Sequence, residues 1–159
     1  MIIKVNKLLL TLTLILSANV WAELIYKSDK TDPFTDERII SIAFLEDDMT
    51  SGGIVGFNCT SETITAIVEY EFNLDFDSKR AITFRFDKRP AYTLVFGVAN
   101  NQYQLTEKEE VRLLLEDFVS SNKAAVKAEE REVLSFNDYK KNIETVNNFI
   151  TNSQSLNCL

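Results

Sequence analysis

The sequence predicts an α+β protein: an antiparallel β-meander of about five to six strands, packed with two helices in the C-terminal half and held by one disulfide. Three observations predict it. Residues 63–76 alternate apolar and mostly polar side chains with a period of two. Beyond Thr106 the apolar spacing changes to that of a helix face. The chain also has two cysteines, Cys59 and Cys158, one in its first half and one next to its end.

The first half reads as strands. Residues 39–45 and 54–58 are short apolar runs, separated by the turn-rich stretch EDDMTSGG at 46–53. In 63–76, Ile64, Ala66, Val68, Tyr70, Phe72, Leu74 and Phe76 fall on one face. Fourteen residues exceed a usual strand, so a bend or bulge is expected within the run. Asp77-Ser78-Lys79 turns the chain into 81–87, where Ile82, Phe84 and Phe86 point inward and Thr83, Arg85 and Asp87 outward. Pro90 ends that strand or marks its edge. A further apolar run, 92–98, stops at Ala99-Asn100-Asn101.

Thr106 and Glu109 have the spacing of a capping box. They precede Val111, Leu114, Leu115, Phe118 and Val119, which lie on one helical face and predict a helix at about 107–120. Residues 124–134 suit helix or strand by propensity, and the alternation from Arg131 to Phe136 favours strand at the end of that segment. Ser135 or Asn137 then caps a last helix over about 138–152, with Tyr139, Ile143, Val146 and Ile150 along one stripe. No internal repeat, low-complexity segment or linker divides residues 23–159, which are expected to form a single domain.

Residues 1–22 read as a cleavable secretory signal. Lys4 and Lys7 form a positive start, Leu8 to Leu16 an apolar core, and Val20-Trp21-Ala22 a cleavage site. An uncleaved anchor is the alternative, but a spanning helix needs about 20 apolar residues and this run is about half that. No cysteine lies near the cleavage point to accept a lipid. Cleavage before Glu23 leaves 137 of the 159 residues, and losing Lys4 and Lys7 takes the formal charge from −7 to −9. The expected location is periplasmic or secreted. In such an oxidising compartment Cys59 and Cys158 are read as one disulfide, with two free thiols as the alternative. The bridge would close a loop of about 100 residues, which chain entropy values at about 4.7 kcal/mol at most. Cys158 would fasten the last helix to the sheet near Cys59.

Charge and composition narrow the chemistry. An acidic surface repels phosphate backbones, so nucleic acid is not expected as a partner. No second apolar stretch is long enough for membrane insertion after cleavage. The chain has no histidine, which removes Ser-His-Asp and Cys-His arrangements, the usual general base near neutrality and most zinc sites. The cysteine spacing is unlike CxxC and does not suit thiol–disulfide catalysis. No catalytic residue, cofactor or metal site is therefore expected. Asp75-Phe76-Asp77-Ser78 begins like a calcium loop, yet it lacks the later Gly and Glu and carries Lys79 at a ligand position. Glu46-Asp47-Asp48 reads as a solvated turn. Asn58-Cys59-Thr60 matches a glycosylation acceptor, discounted because its middle residue is the bridge cysteine.

One cluster departs from the acidic average. Lys79, Arg80, Arg85, Lys88 and Arg89 put five cations within 11 residues. Read functionally, they form a basic strip on the solvent face of a hairpin, suited to an acidic protein or an anionic polymer. Read structurally, they pair with Glu69 and Glu71 across the sheet. Most aromatic residues fall on inward positions, while Tyr92 and Tyr103 flank a strand and are expected to be partly exposed.

The order of features resembles the VasI-type accessory proteins associated with type VI secretion. The likeness rests on Asp32-Pro33-Phe34-Thr35-Asp36-Glu37 after a first strand, and on Ile54 to Cys59, an apolar strand ending in Cys. It also rests on Ala81 to Asp87, and on Phe136 to Cys158, an aromatic residue opening a helix that ends before a terminal Cys. The chain lacks the tryptophan-rich opening of that group, since Trp21 belongs to the signal, and its helix at 107–120 is longer. The resemblance implies a periplasmic accessory or binding role and brings no catalytic residues. The leading expectation is a non-enzymatic module that binds another protein. The alternatives are an inhibitor or immunity protein against an envelope-acting hydrolase, and a carboxylate-based hydrolase without a recognised motif.

Overall fold

Nine strands and two helices follow one another along the described residues of the computed structural model, which are 25–47, 52–61, 63–70, 79–99, 102–129, 131–137 and 143–159. The expected signal at 1–22, the acidic segment 75–78, Asp48 and Glu71 lie outside them. The elements are β1 (Ile25–Thr31), β2 (Arg38–Leu45), β3 (Ile54–Cys59), β4 (Ile64–Glu69), β5 (Lys79–Phe86), β6 (Tyr92–Ala99) and β7 (Gln102–Leu105). Then come α1 (Lys108–Ser120), β8 (Lys123–Ala128), β9 (Leu134–Asn137) and α2 (Ile143–Ser155). The α+β class and the Cys59–Cys158 disulfide are as the sequence predicts. The strand count exceeds expectation.

The strands form one sheet in the order β1-β2-β3-β4-β7-β6-β5-β8-β9, antiparallel throughout. A single meander is thus corrected to two. β5 to β7 make their own meander, and its last strand docks on β4, with Ala66 opposite Leu105 and Val68 opposite Tyr103. The extra strands were hidden by composition. β1 (IYKSDKT) is mostly polar, β7 (QYQL) is four residues long, and β8 and β9 are split by a turn closed by Arg131 N–H on the Ala128 carbonyl. β4 is Ile64–Glu69, and the later part of the alternating run, 71–76, lies outside the described residues.

The sheet wraps tightly. The ring of Phe118 on α1 stacks on Phe44 of β2 at 4.9 Å and meets Phe57 of β3, Phe86 of β5 and Phe136 of β9 edge-on at 5.0–6.0 Å. In a flat sheet β2 and β9 would lie seven spacings apart, roughly 34 Å. One ring touching both requires the sheet to curl around α1. Burying an aromatic side chain contributes on the order of 2–3 kcal/mol, and these five phenylalanines are all almost fully buried, so the wrap has a large apolar driving force.

Glu46 and Asp47 bring β9 up to the β2–β3 connection. Ser135 N–H donates to Glu46 Oε1 at 3.2 Å, Asp47 N–H to the Ser135 carbonyl at 3.1 Å, and Asn137 N–H to Asp47 Oδ1 at 3.0 Å. Glu46 is therefore not part of a solvated turn, being 5% exposed and satisfying an edge strand's backbone, whereas Asp47 is exposed. Ser135 and Asn137, read as caps, sit in β9 instead.

α1 starts at Lys108 behind Glu107, with no side-chain capping bond, so the Thr106–Glu109 box is not formed. Glu109 and Glu110 in its first turn still complement the positive end of the helix dipole. α2 buries Val146, Phe149 and Ser153, whereas Ile143 is 46% exposed; the predicted stripe is rotated. α2 ends in a Schellman turn: Cys158 N–H bonds the Ser153 carbonyl and Asn157 N–H the Gln154 carbonyl, with Asn157 left-handed at φ 59°. That reversal aims Cys158 at Cys59, with Cα atoms 5.8 Å apart.

Candidate interaction face

Alternation along a strand divides its side chains between two faces. On β5 the inward set is Ile82, Phe84 and Phe86, as predicted, and the outward set is Lys79, Ala81, Thr83 and Arg85. Phe118, Phe149 and the bridge at Cys59 all lie on the inward side, so both helices cover that face. The outward face has no covering layer among the described residues.

The five predicted cations are dispersed. Lys79 and Arg85 point outward and are exposed, Lys88 is exposed in the turn after β5, and Arg80 is half-buried on the inward side. Arg89 is committed elsewhere. Its guanidinium binds Asp117 Oδ1 and Ser121 Oγ at the end of α1 and lies 5.5 Å from the Phe86 ring centre. Tyr92 O–H adds a 2.8 Å bond to Asp117 Oδ2. Burial, reinforced by that carboxylate, raises the Tyr92 phenol well above its ordinary pKa. The cluster clasps the β5–β6 turn to α1.

The expected pairing with Glu69 is not made, because β4 and β5 are not neighbours. Glu69 instead accepts a bond from Gln102 Nε2 at 3.1 Å. The neighbours of β5 are β6 and β8. β8 turns Lys123 and Lys127 outward beside Arg85, which sits opposite Ala125. Each lysine is then a diagonal neighbour of Arg85, about 7–8 Å away along the backbone. Sequence reasoning missed these two lysines because 124–134 was open between helix and strand; the alternation of Ala124, Val126 and Ala128 was the signal available.

Apolar and hydroxyl groups interleave with the cations. Val95 on β6 is 57% exposed and Val133 before β9 is 50% exposed. Thr83 and Thr93 share a 2.9 Å hydroxyl bond between them. Of the flanking tyrosines, Tyr103 is buried, against expectation, and Tyr92 is half-buried. Asn58, in the discounted glycosylation pattern, is half-buried within β3.

Two further grooves lie among the described residues. One of about 380 Å³ lies between the helices, walled by Leu115, Val119, Ile150 and Leu159 with Arg112 and Glu116. The other, about 420 Å³, runs along the ends of β6 and β7 and holds Glu107, Glu110 and Lys79. Val95 of the outward face lines this second groove as well. Among the described residues no three His, Cys, Asp or Glu side chains gather as a metal site would require. No helix among them is long and apolar enough to cross a membrane.

Fold and face together define a class: an α+β protein whose wrapped antiparallel sheet holds its helices on one side and turns a mixed basic and apolar face outward. Comparisons with protein-family models, curated proteins and solved structures find no match.

Proposed function

We propose that the chain is an exported, non-enzymatic accessory module that binds another protein through the uncovered face of its sheet. The observation that carries this reading is that face itself, where Val95 and Val133 are exposed and Lys79, Arg85, Lys123 and Lys127 make no ion pair among the described residues. Exposed apolar groups interspersed with charge suit protein recognition. The signal-like start supports a periplasmic or secreted location, and the disulfide suits an oxidising compartment. The resemblance to VasI-type proteins supports association with a secretion system. Pull-downs from periplasmic extract with the mature chain are expected to return the same partner repeatedly; repeated failure to do so would count heavily against the reading.

A second reading, an inhibitor or immunity protein, is favoured by the acidic surface of α1, where Glu107, Glu109 and Glu116 are exposed. Such a face complements a basic enzyme. Growth protection against a hydrolase encoded beside the gene is the expected result, and absence of protection retires this reading.

A further inference from the structure

We infer that the outward face of β5, β6 and β8 is the docking surface, and that its occupant is a carboxylate-rich protein segment laid along β5. This rests on the protein-binding reading above and specifies where and by what chemistry it occurs.

The argument is electrostatic. Lys123 and Lys127 on β8 are the diagonal neighbours of Arg85 on β5, so three like charges gather on one patch of the face. None of them, nor Lys79, makes an ion pair among the described residues. The chain has acids in excess, 24 against 17 basic residues, so it does not lack carboxylates that could have paired with them. Among the described residues Glu129 is an exposed carboxylate just past β8 and makes no ion pair there. Asp87 is occupied, accepting from the backbone N–H groups of Asn122 and Lys123. A carboxylate-bearing partner would remove this repulsion.

Geometry sets the size of the segment. Lys79 and Arg85 are six residues apart on one strand, about 20 Å, which suits an extended segment of about six residues. Lys79 shares its groove with Glu107 and Glu110, so the segment's carboxylates lie at the Arg85, Lys123 and Lys127 end. Exposed Val95 and Val133 and the Thr83–Thr93 pair supply contact surface between the charges. That interleaving favours a protein over a polyanion, which uses charge alone and is repelled by a chain of formal net charge −7.

Val95 and Tyr26 give a matched test, being 57% and 56% exposed on different parts of the sheet. A photo-reactive benzophenone amino acid is placed at one position or the other in the full chain, within the cells that make it. The expected result is a protein adduct from position 95 whose cross-linked peptide is rich in Asp and Glu. Its yield should fall at least tenfold in Arg85→Glu/Lys127→Glu, provided that variant melts like the parent. If it does not, Arg85→Gln/Lys127→Gln is read the same way, with a several-fold loss expected. An adduct at 95 that survives charge removal overturns the inference. So does an adduct confined to position 26, which would leave protein binding intact but move it elsewhere. No protein adduct at either position overturns both readings, and retention on heparin lost by the same reversal would then identify a polyanion instead.

Discussion

Arg89 and Arg85 are four residues apart in one basic run, yet the structure gives them opposite duties. Arg89 reaches Asp117, Ser121 and the face of Phe86, while Arg85 stands exposed on β5. Charge-assisted bonds to a largely buried carboxylate exceed the worth of an open surface pair. The Asp117 side chain is 14% exposed and Ser121 1%. Arg89→Ala should therefore cost about 1–2 kcal/mol in urea unfolding, partly by stranding Ser121 Oγ. Arg85→Ala should stay within about 0.5 kcal/mol. Equal losses in the two variants would refute this division of roles. No feature of sequence separates the two arginines; only the position of α1 over the β5–β6 turn does.

At the scale of elements, legibility tracks local chemistry. The inward sets on β4 and β5 were readable because alternation is a local property, and Ile64, Ala66, Val68, Ile82, Phe84 and Phe86 are all buried as it requires. The order of strands was not readable, because β4 joins β7 through Ala66, Ile67 and Val68, whose side chains carry no label for their partner. β7 escaped notice for a related reason: four residues hold too few repeats to show a period. The same limit hid half the candidate face, since Lys123 and Lys127 became outward only once β8 was known to be a strand. The disulfide was legible from the cysteine count and the expected compartment, and its effect can be stated. It joins β3 to the tail of α2 across a sequence separation of 99, and the chain-entropy model gives a loop of that length up to about 4.7 kcal/mol. A Cys59→Ser/Cys158→Ser chain should lose most of that in denaturant unfolding, and proteases should cut within α2 before the sheet. Unchanged stability on opening the bridge would mean that α2 is held by packing of Val146 and Phe149 alone.

For the whole molecule, the wrap of the sheet is the property on which everything outward depends, and it can be tested through one hydroxyl. Tyr70, just past β4, accepts the N–H of Ala128 at the end of β8 at 2.9 Å, although three strands separate β4 from β8 in the sheet. Burial raises its phenol from 10.0 to about 12. The sign follows from proton linkage: the folded chain holds this proton more tightly than the unfolded one. The associated stability is fully present below pH 10 and is lost as pH climbs towards about 12. Tyr92 on β6, raised in the same direction, adds to the loss. Tyr70→Phe removes both the acceptor and the titration. At neutral pH it should cost about 1–2 kcal/mol, because the Ala128 N–H is left without its partner. Between pH 10 and 12 its stability should fall less steeply than the parent's, so the two curves converge. Denaturant unfolding across that range, with tyrosinate absorbance recorded in parallel, measures both slopes. Parallel curves would show that Tyr70 does not hold the two halves of the sheet together, and the closure would then rest on Glu46, Asp47 and the Phe118 cluster.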